Sequence, residues 1–130
     1  MNKLSFLFLL LAGTAGIVCG QRLDHHDLIL FNIYKGQDSV WASAAPRFLT
    51  AFNPRGYNNQ PAFFSASQLW LTAELPEDGE QTDIQMLDLY TSTRTRVTAT
   101  PATSEYSPTL MPGNRRFSAV RVEEDGTQRL

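Results

Sequence analysis

At 130 residues the chain has the length of one domain, and its 42% apolar and 18% charged residues are those of a folding chain rather than a disordered one. The formal net charge of -2 is dispersed, with no run of lysine or arginine to follow a line of phosphates, so nucleic acid is set aside as a partner.

Residues 1–20 read as a secretory signal peptide. Lys3 gives a positive start, and residues 4–18 are free of charge and apolar, too short for a membrane span of about 20 residues but the usual size for a signal core. Cleavage between Gly20 and Gln21 leaves a mature chain with no cysteine, hence no disulfide, and directs the product to the periplasm or cell envelope. A lipoprotein reading, with Cys19 lipidated, is the alternative, but Val18 sits where a small residue is usual.

The rest of the chain is organised by a repeat. Asp27-Leu28-Ile29-Leu30-Phe31-Asn32-Ile33-Tyr34 reads like Asp83-Ile84-Gln85-Met86-Leu87-Asp88-Leu89-Tyr90, and Arg47-Phe48-Leu49-Thr50 like Thr95-Arg96-Val97-Thr98. Pro61 set on Pro108, a spacing of 47, also matches Phe63 with Leu110, Trp70 with Phe117, Ala73 with Val120, and Asp78-Gly79 with Asp125-Gly126. Within each unit short apolar runs alternate large and small residues, and Asp-Gly between two such runs marks a hairpin. No window outside the signal has helical periodicity. Four short strands in about 40–50 residues describe a propeller blade.

The expected fold is therefore all-β, a partial β-propeller over residues 21–130 built of four-stranded antiparallel blades. It comprises a half blade at about residues 27–52, a full blade at 57–100 and a half blade at 104–130. About two blades do not close a ring of about 4–8. The expectation follows that the natural polypeptide is longer or takes strands from partner chains, and that its open strand edges associate with other chains.

The segments GYNNQPAFFSASQLWLTAE, TDIQMLDLY and SEYSPTLMPGNRRFSAVRVEEDGTQRL resemble the WD-repeat-like blades of TolB-type envelope propellers. The resemblance spans residues 27–130 and implies an envelope binding or scaffold module rather than an enzyme. The pattern departs from the family's Ser-Pro-Asp-Gly turn, which is Ser65-Ala66-Ser67-Gln68 in one unit and Met111-Pro112-Gly113-Asn114 in the next.

Chemistry has few footholds. The only histidines, His25 and His26, are adjacent, and neighbours on an extended segment point apart, so they do not share a metal. No Gly-x-Ser-x-Gly elbow exists. Carboxylates at Glu77, Asp78 and Glu80, and at Glu123, Glu124 and Asp125, gather at the Asp-Gly turns, where Asp serves the backbone. Arg115 and Arg116 read as a polar pair at a strand edge, and Trp41, Trp70 and Phe117 as packing residues. No catalytic residue, metal or cofactor is expected.

The candidate binding residues are Tyr57, Asn58, Asn59, Gln60, Glu105 and Tyr106, in two stretches that lead into the innermost strand of a blade. There they would ring the channel mouth and hold a protein or small polar ligand. Turn chemistry accounts for Asn but not for Tyr or Glu, which keeps the binding reading level with the capping one. The rival function is the gating propeller of a prolyl-peptidase-like hydrolase whose catalytic part lies beyond Leu130.

Overall fold

A computed structural model describes residues 23–113 and 115–130; the expected signal peptide, its expected cleavage site and Cys19 lie outside the described residues. The described chain is all-β and antiparallel, its sheets of two to four strands are compatible with incomplete propeller blades, and among the described residues no ring closes. The one helical turn among the described residues is the 3-10 segment Pro76–Asp78.

Four strands open the chain: β1 (Ile29–Leu30), β2 (Ile33–Lys35), β3 (Trp41–Ser43) and β4 (Arg47–Phe48). β1 pairs with β4 and β2 with β3, and Ala44 N bonds Asn32 O while Leu49 N bonds Leu28 O, so together they form one long interrupted hairpin.

The middle sheet is the four-stranded meander β5 (Asn58–Phe63), β6 (Gln68–Glu74), β7 (Thr82–Asp88) and β8 (Arg94–Arg96), hydrogen-bonded in that order. Its β6–β7 ladder runs unbroken from Gln68↔Asp88 to Glu74↔Thr82. Residues directly opposite share a face, so Leu69, Leu71 and Ala73 lie with Leu87, Gln85 and Asp83, while Trp70 and Thr72 lie with Met86 and Ile84. The first face makes the core: Leu71, Ala73, Leu75 and Leu87 are buried together, with Leu28 and Leu49 of the hairpin packed against them.

The third sheet is β9 (Ser104–Leu110), β10 (Phe117–Val122) and β11 (Gln128–Arg129). Its β9 runs beside both β5 and β7 and covers the second face of the middle sheet. Both Asp-Gly turns form where the sequence places them, and Gly79 (φ 73°) and Gly126 (φ 80°) take the positive φ that tight turns require.

The 47-residue spacing matches the register of the inner strands and slips by one residue on their neighbours. β5 bulges between Asn59 and Ala62, and β9 bulges between Tyr106 and Thr109, so the 47-residue spacing is kept there. On the next strand Trp70 pairs with Ala62, whereas Phe117 pairs with Leu110, the counterpart of Phe63. Phe117 thus occupies the place of Leu69, one residue away from the match to Trp70 that the sequence suggests. A one-residue slip turns a side chain to the other face. Trp70 therefore points forward and Phe117 back, and their rings meet at 4.8 Å, extended by Phe64 at 4.9 Å from Trp70.

Candidate functional site

The six candidate residues are not loop residues leading into strands, as the sequence suggests: all but Tyr57, which immediately precedes β5, belong to the inner strands β5 and β9 themselves. Strand structure extends to them because each inner strand accommodates its proline at a bulge. Gln60 (φ 52°) and Ser107 (φ 54°), each just before a proline, hold equivalent left-handed conformations. That is a costly place for a residue with a side chain, and more so before proline, which favours extended backbone. A local interaction holds the strain in place: the Gln60 side-chain Oε1 accepts from Ser107 N at 2.9 Å and from Thr72 Oγ1 at 2.9 Å. One side chain thereby ties the bulge of one sheet to the bulge of the next. Bulge and proline together also blunt the inner edges against the addition of a further strand.

Asn58 is fully buried and committed to the fold. Its Nδ2 donates to the carbonyls of His26 (2.9 Å), Asn53 (2.9 Å) and Gly56 (3.2 Å), and its Oδ1 accepts from Asn53 Nδ2 at 3.1 Å. Asn53 Nδ2 also donates to Glu74 O at 2.8 Å. Gly56 completes this knot by close approach, since a Cβ there would fall 2.3 Å from the Asn53 amide. Asn59 turns its Oδ1 to Gln60 N at 2.7 Å, supporting the strained residue beside it.

Tyr57 is buried between His26, whose ring meets it edge-on at 5.5 Å, and Tyr106 at 6.5 Å. Burial pushes its phenol above the usual tyrosine range. Glu105 is also buried, so that alanine at Tyr57 or Glu105 disturbs packing as well as any surface chemistry. Burial, then the charge of Asp83, hold the Glu105 carboxyl above the usual glutamate range.

The two sequence stretches are therefore brought side by side, but only part of the set faces solvent. Half-buried Tyr106 and Gln60, with Leu23, Ser107, Val120, Val122 and Gln128, line an open hollow of about 470 Å³ on one face of the third sheet. Leu23, Val120, Val122 and Gln128 are the members of this surface that sequence reasoning missed. The alternation in β10 marked the valines as one face of a strand, and only the pairing shows that this face is the one beside Tyr106.

The remaining charged clusters sit as turn and edge groups. Glu77 pairs with Arg94 at 3.4 Å, and its carboxyl is lowered first by its own backbone amide. Glu123 pairs with Arg121 and Arg129, and Asp125 Oδ1 accepts from Thr127 N at 2.8 Å within its turn. His25 Nε2 lies 3.3 Å from Asp27 Oδ2, and His26 Nδ1 lies 2.8 Å from Asp24 O. Among the described residues no three His, Cys, Asp or Glu side chains are grouped to hold a metal, and no helix is long and apolar enough to cross a membrane. Trp41 stands exposed on the hairpin. No family model, curated protein or solved structure matches this chain.

Proposed function

We propose that the chain is an exported, non-catalytic binding or scaffold module of the TolB-like propeller type, taking a protein or small polar ligand on the face of its third sheet, beside Tyr106. The observation that carries this reading is the hollow beside Tyr106. It combines an aromatic ring with an apolar floor of Leu23, Val120 and Val122 and the amides of Gln60 and Gln128, on strands braced by the Gln60–Ser107 bond. Apolar surface with a few fixed polar groups on a rigid support is the chemistry of a recognition site.

The test places a photo-reactive benzoylphenylalanine at position 106 and, as a control, at the exposed Tyr90. Cells are irradiated, and the envelope fraction is resolved for adducts and for the mature N-terminus. A defined adduct from position 106 but not from 90, on a chain beginning at Gln21, supports the proposal. For a small ligand, the supporting result is a bound mass in native mass spectrometry that Tyr106→Ala loses. Equal labelling from both positions with no such mass, or an intact N-terminus on cytoplasmic material, overturns it.

A further inference from the structure

The second and third sheets are fastened at one place by groups that do not belong to the proposed recognition surface. Thr82 Oγ1 on β7 donates to the Glu105 carbonyl on β9 at 3.0 Å, and Thr82 N donates to Ser104 Oγ at 3.1 Å. At this junction two carboxyl groups are buried near one another. Asp83 is fully buried and its oxygens are satisfied, Oδ2 by the Arg96 guanidinium and Oδ1 by Thr98 Oγ1 at 3.2 Å. Glu105 is only 5% exposed and poorly served: Oε1 accepts a long 3.5 Å bond from Thr103 Oγ1, and Oε2 is buried without a hydrogen-bond partner.

The charged groups around Glu105 do not make good this deficit. From β7 it faces the carboxylate of Asp83, and the Arg96 of β8 is engaged by that carboxylate. Arg121, opposite Glu105 in the β9–β10 ladder, turns its guanidinium to Glu123 at 3.2 Å. A buried acceptor oxygen beside a carboxylate lacks a hydrogen, and a proton on Glu105 supplies one.

We propose that Glu105 is a proton-held joint between the second and third sheets: protonated, it shares its hydrogen with the Asp83 side, and deprotonated, it sets two buried carboxylates against each other across the junction of β7 and β9. The raised position of its titration, in which burial first and Asp83 after it outweigh the opposing effect of the Thr100 and Thr98 side chains, agrees with this geometry. In the unfolded chain Glu105 titrates as an ordinary glutamate. The folded state holds the proton to a higher pH, so the contribution to stability is complete below the ordinary glutamate range and is lost as pH rises through the folded value. Across that window a single such group weakens folding by up to about tenfold in equilibrium constant per pH unit.

The test compares the full chain with Glu105→Gln by urea unfolding from pH 4 to 8, together with a carbon-13 NMR titration of the wild-type glutamate carboxyls. The expected result is that Glu105 titrates above the other glutamates, and that the loss of stability with rising pH shrinks in Glu105→Gln, whose neutral amide mimics the protonated acid. Should the substitution disturb folding, the NMR titration decides on the wild-type protein alone. An ordinary Glu105 titration, or identical pH slopes in the two proteins, overturns the proposal.

Discussion

The opening hairpin and the third strand of the middle sheet carry nearly the same sequence and meet opposite fates. Ile33 of the hairpin is 70% exposed, while its counterpart Leu89 is 8% exposed; Ile29 is 44% exposed, while its counterpart Gln85, a polar residue, is not exposed at all. Hydrophobicity of the strand therefore does not decide burial here. The middle sheet is covered on one face by Leu28 and Leu49 of the hairpin and on the other by β9, whereas among the described residues the hairpin has a neighbour on one face only. A strand becomes core when both of its faces have partners, and the same letters without partners remain surface.

The comparison can be broken most forcefully at its buried end. Leu71→Ala removes a fully buried side chain from the centre of the core and is expected to cost about 2–5 kcal/mol. Ile33→Ala on the exposed hairpin is expected to stay within about 0.5 kcal/mol. Paired urea denaturation curves check this, and comparable losses from the two would show that the hairpin is covered in solution.

Next in size is the amide knot. Asn58→Ala takes away the donor to three carbonyls and one of the acceptors of the Asn53 amide, all in a buried setting, for an expected loss of about 1–3 kcal/mol. Because Asn53 and Asn58 act as a unit, the double alanine variant is expected to lose less than the sum of the two single ones, and a double-mutant cycle measures that shortfall.

Much of this architecture was legible in the sequence, and the limit of legibility is physical. The strand runs, the two Asp-Gly turns and the grouping of residues around Pro61 and Pro108 follow from local chemistry: alternation for a half-covered strand, glycine for positive φ. What was not legible depends on which face meets which neighbour. The spacing of 47 places Trp70 over Phe117, yet a one-residue slip in the second strand turns their side chains toward each other, with the rings tilted by 45°. The candidate site shows the same limit. Tyr57, Asn58 and Glu105 stand out in the sequence for their chemistry as surface groups and are buried, because the segment at His26 and the adjoining sheet close over them. Tyr106 and Gln60 keep access to solvent at the hollow, a difference no composition rule contains.

Gln85 sharpens the comparison from the polar side. Both atoms of its amide are buried without a hydrogen-bond partner, on the face that carries Leu71 and Leu87. An unpaired buried amide costs about 1–3 kcal/mol, and methionine fills a similar volume without that cost. Gln85→Met is therefore expected to raise stability, by up to about that amount, whereas Ile29→Gln at the equivalent hairpin position should leave it almost unchanged. A fall in the denaturation midpoint of Gln85→Met would show that the amide has a partner in solution.

The smallest expected effect separates the two bulges, which share backbone geometry but not side-chain duty. Ser107 and Gln60 both hold φ near 50°, where a residue with a side chain is strained by about 1–2 kcal/mol and glycine is not. Part of that gain is returned, since glycine gives the unfolded chain more freedom, worth about 0.5–1 kcal/mol. At position 107 the argument ends there, because the bond to Gln60 is made by the Ser107 backbone N–H and survives the change. Ser107→Gly should be neutral to slightly stabilising, by up to about 1 kcal/mol. At position 60 the same relief is set against the loss of the Oε1 that accepts from both Thr72 and Ser107, bonds worth about 0.5–1.5 kcal/mol each. Gln60→Gly should therefore be destabilising despite its easier backbone. Thermal midpoints of the two variants, measured side by side, decide it: equal shifts of the same sign would mean that the Gln60 side chain does not brace the junction between the sheets.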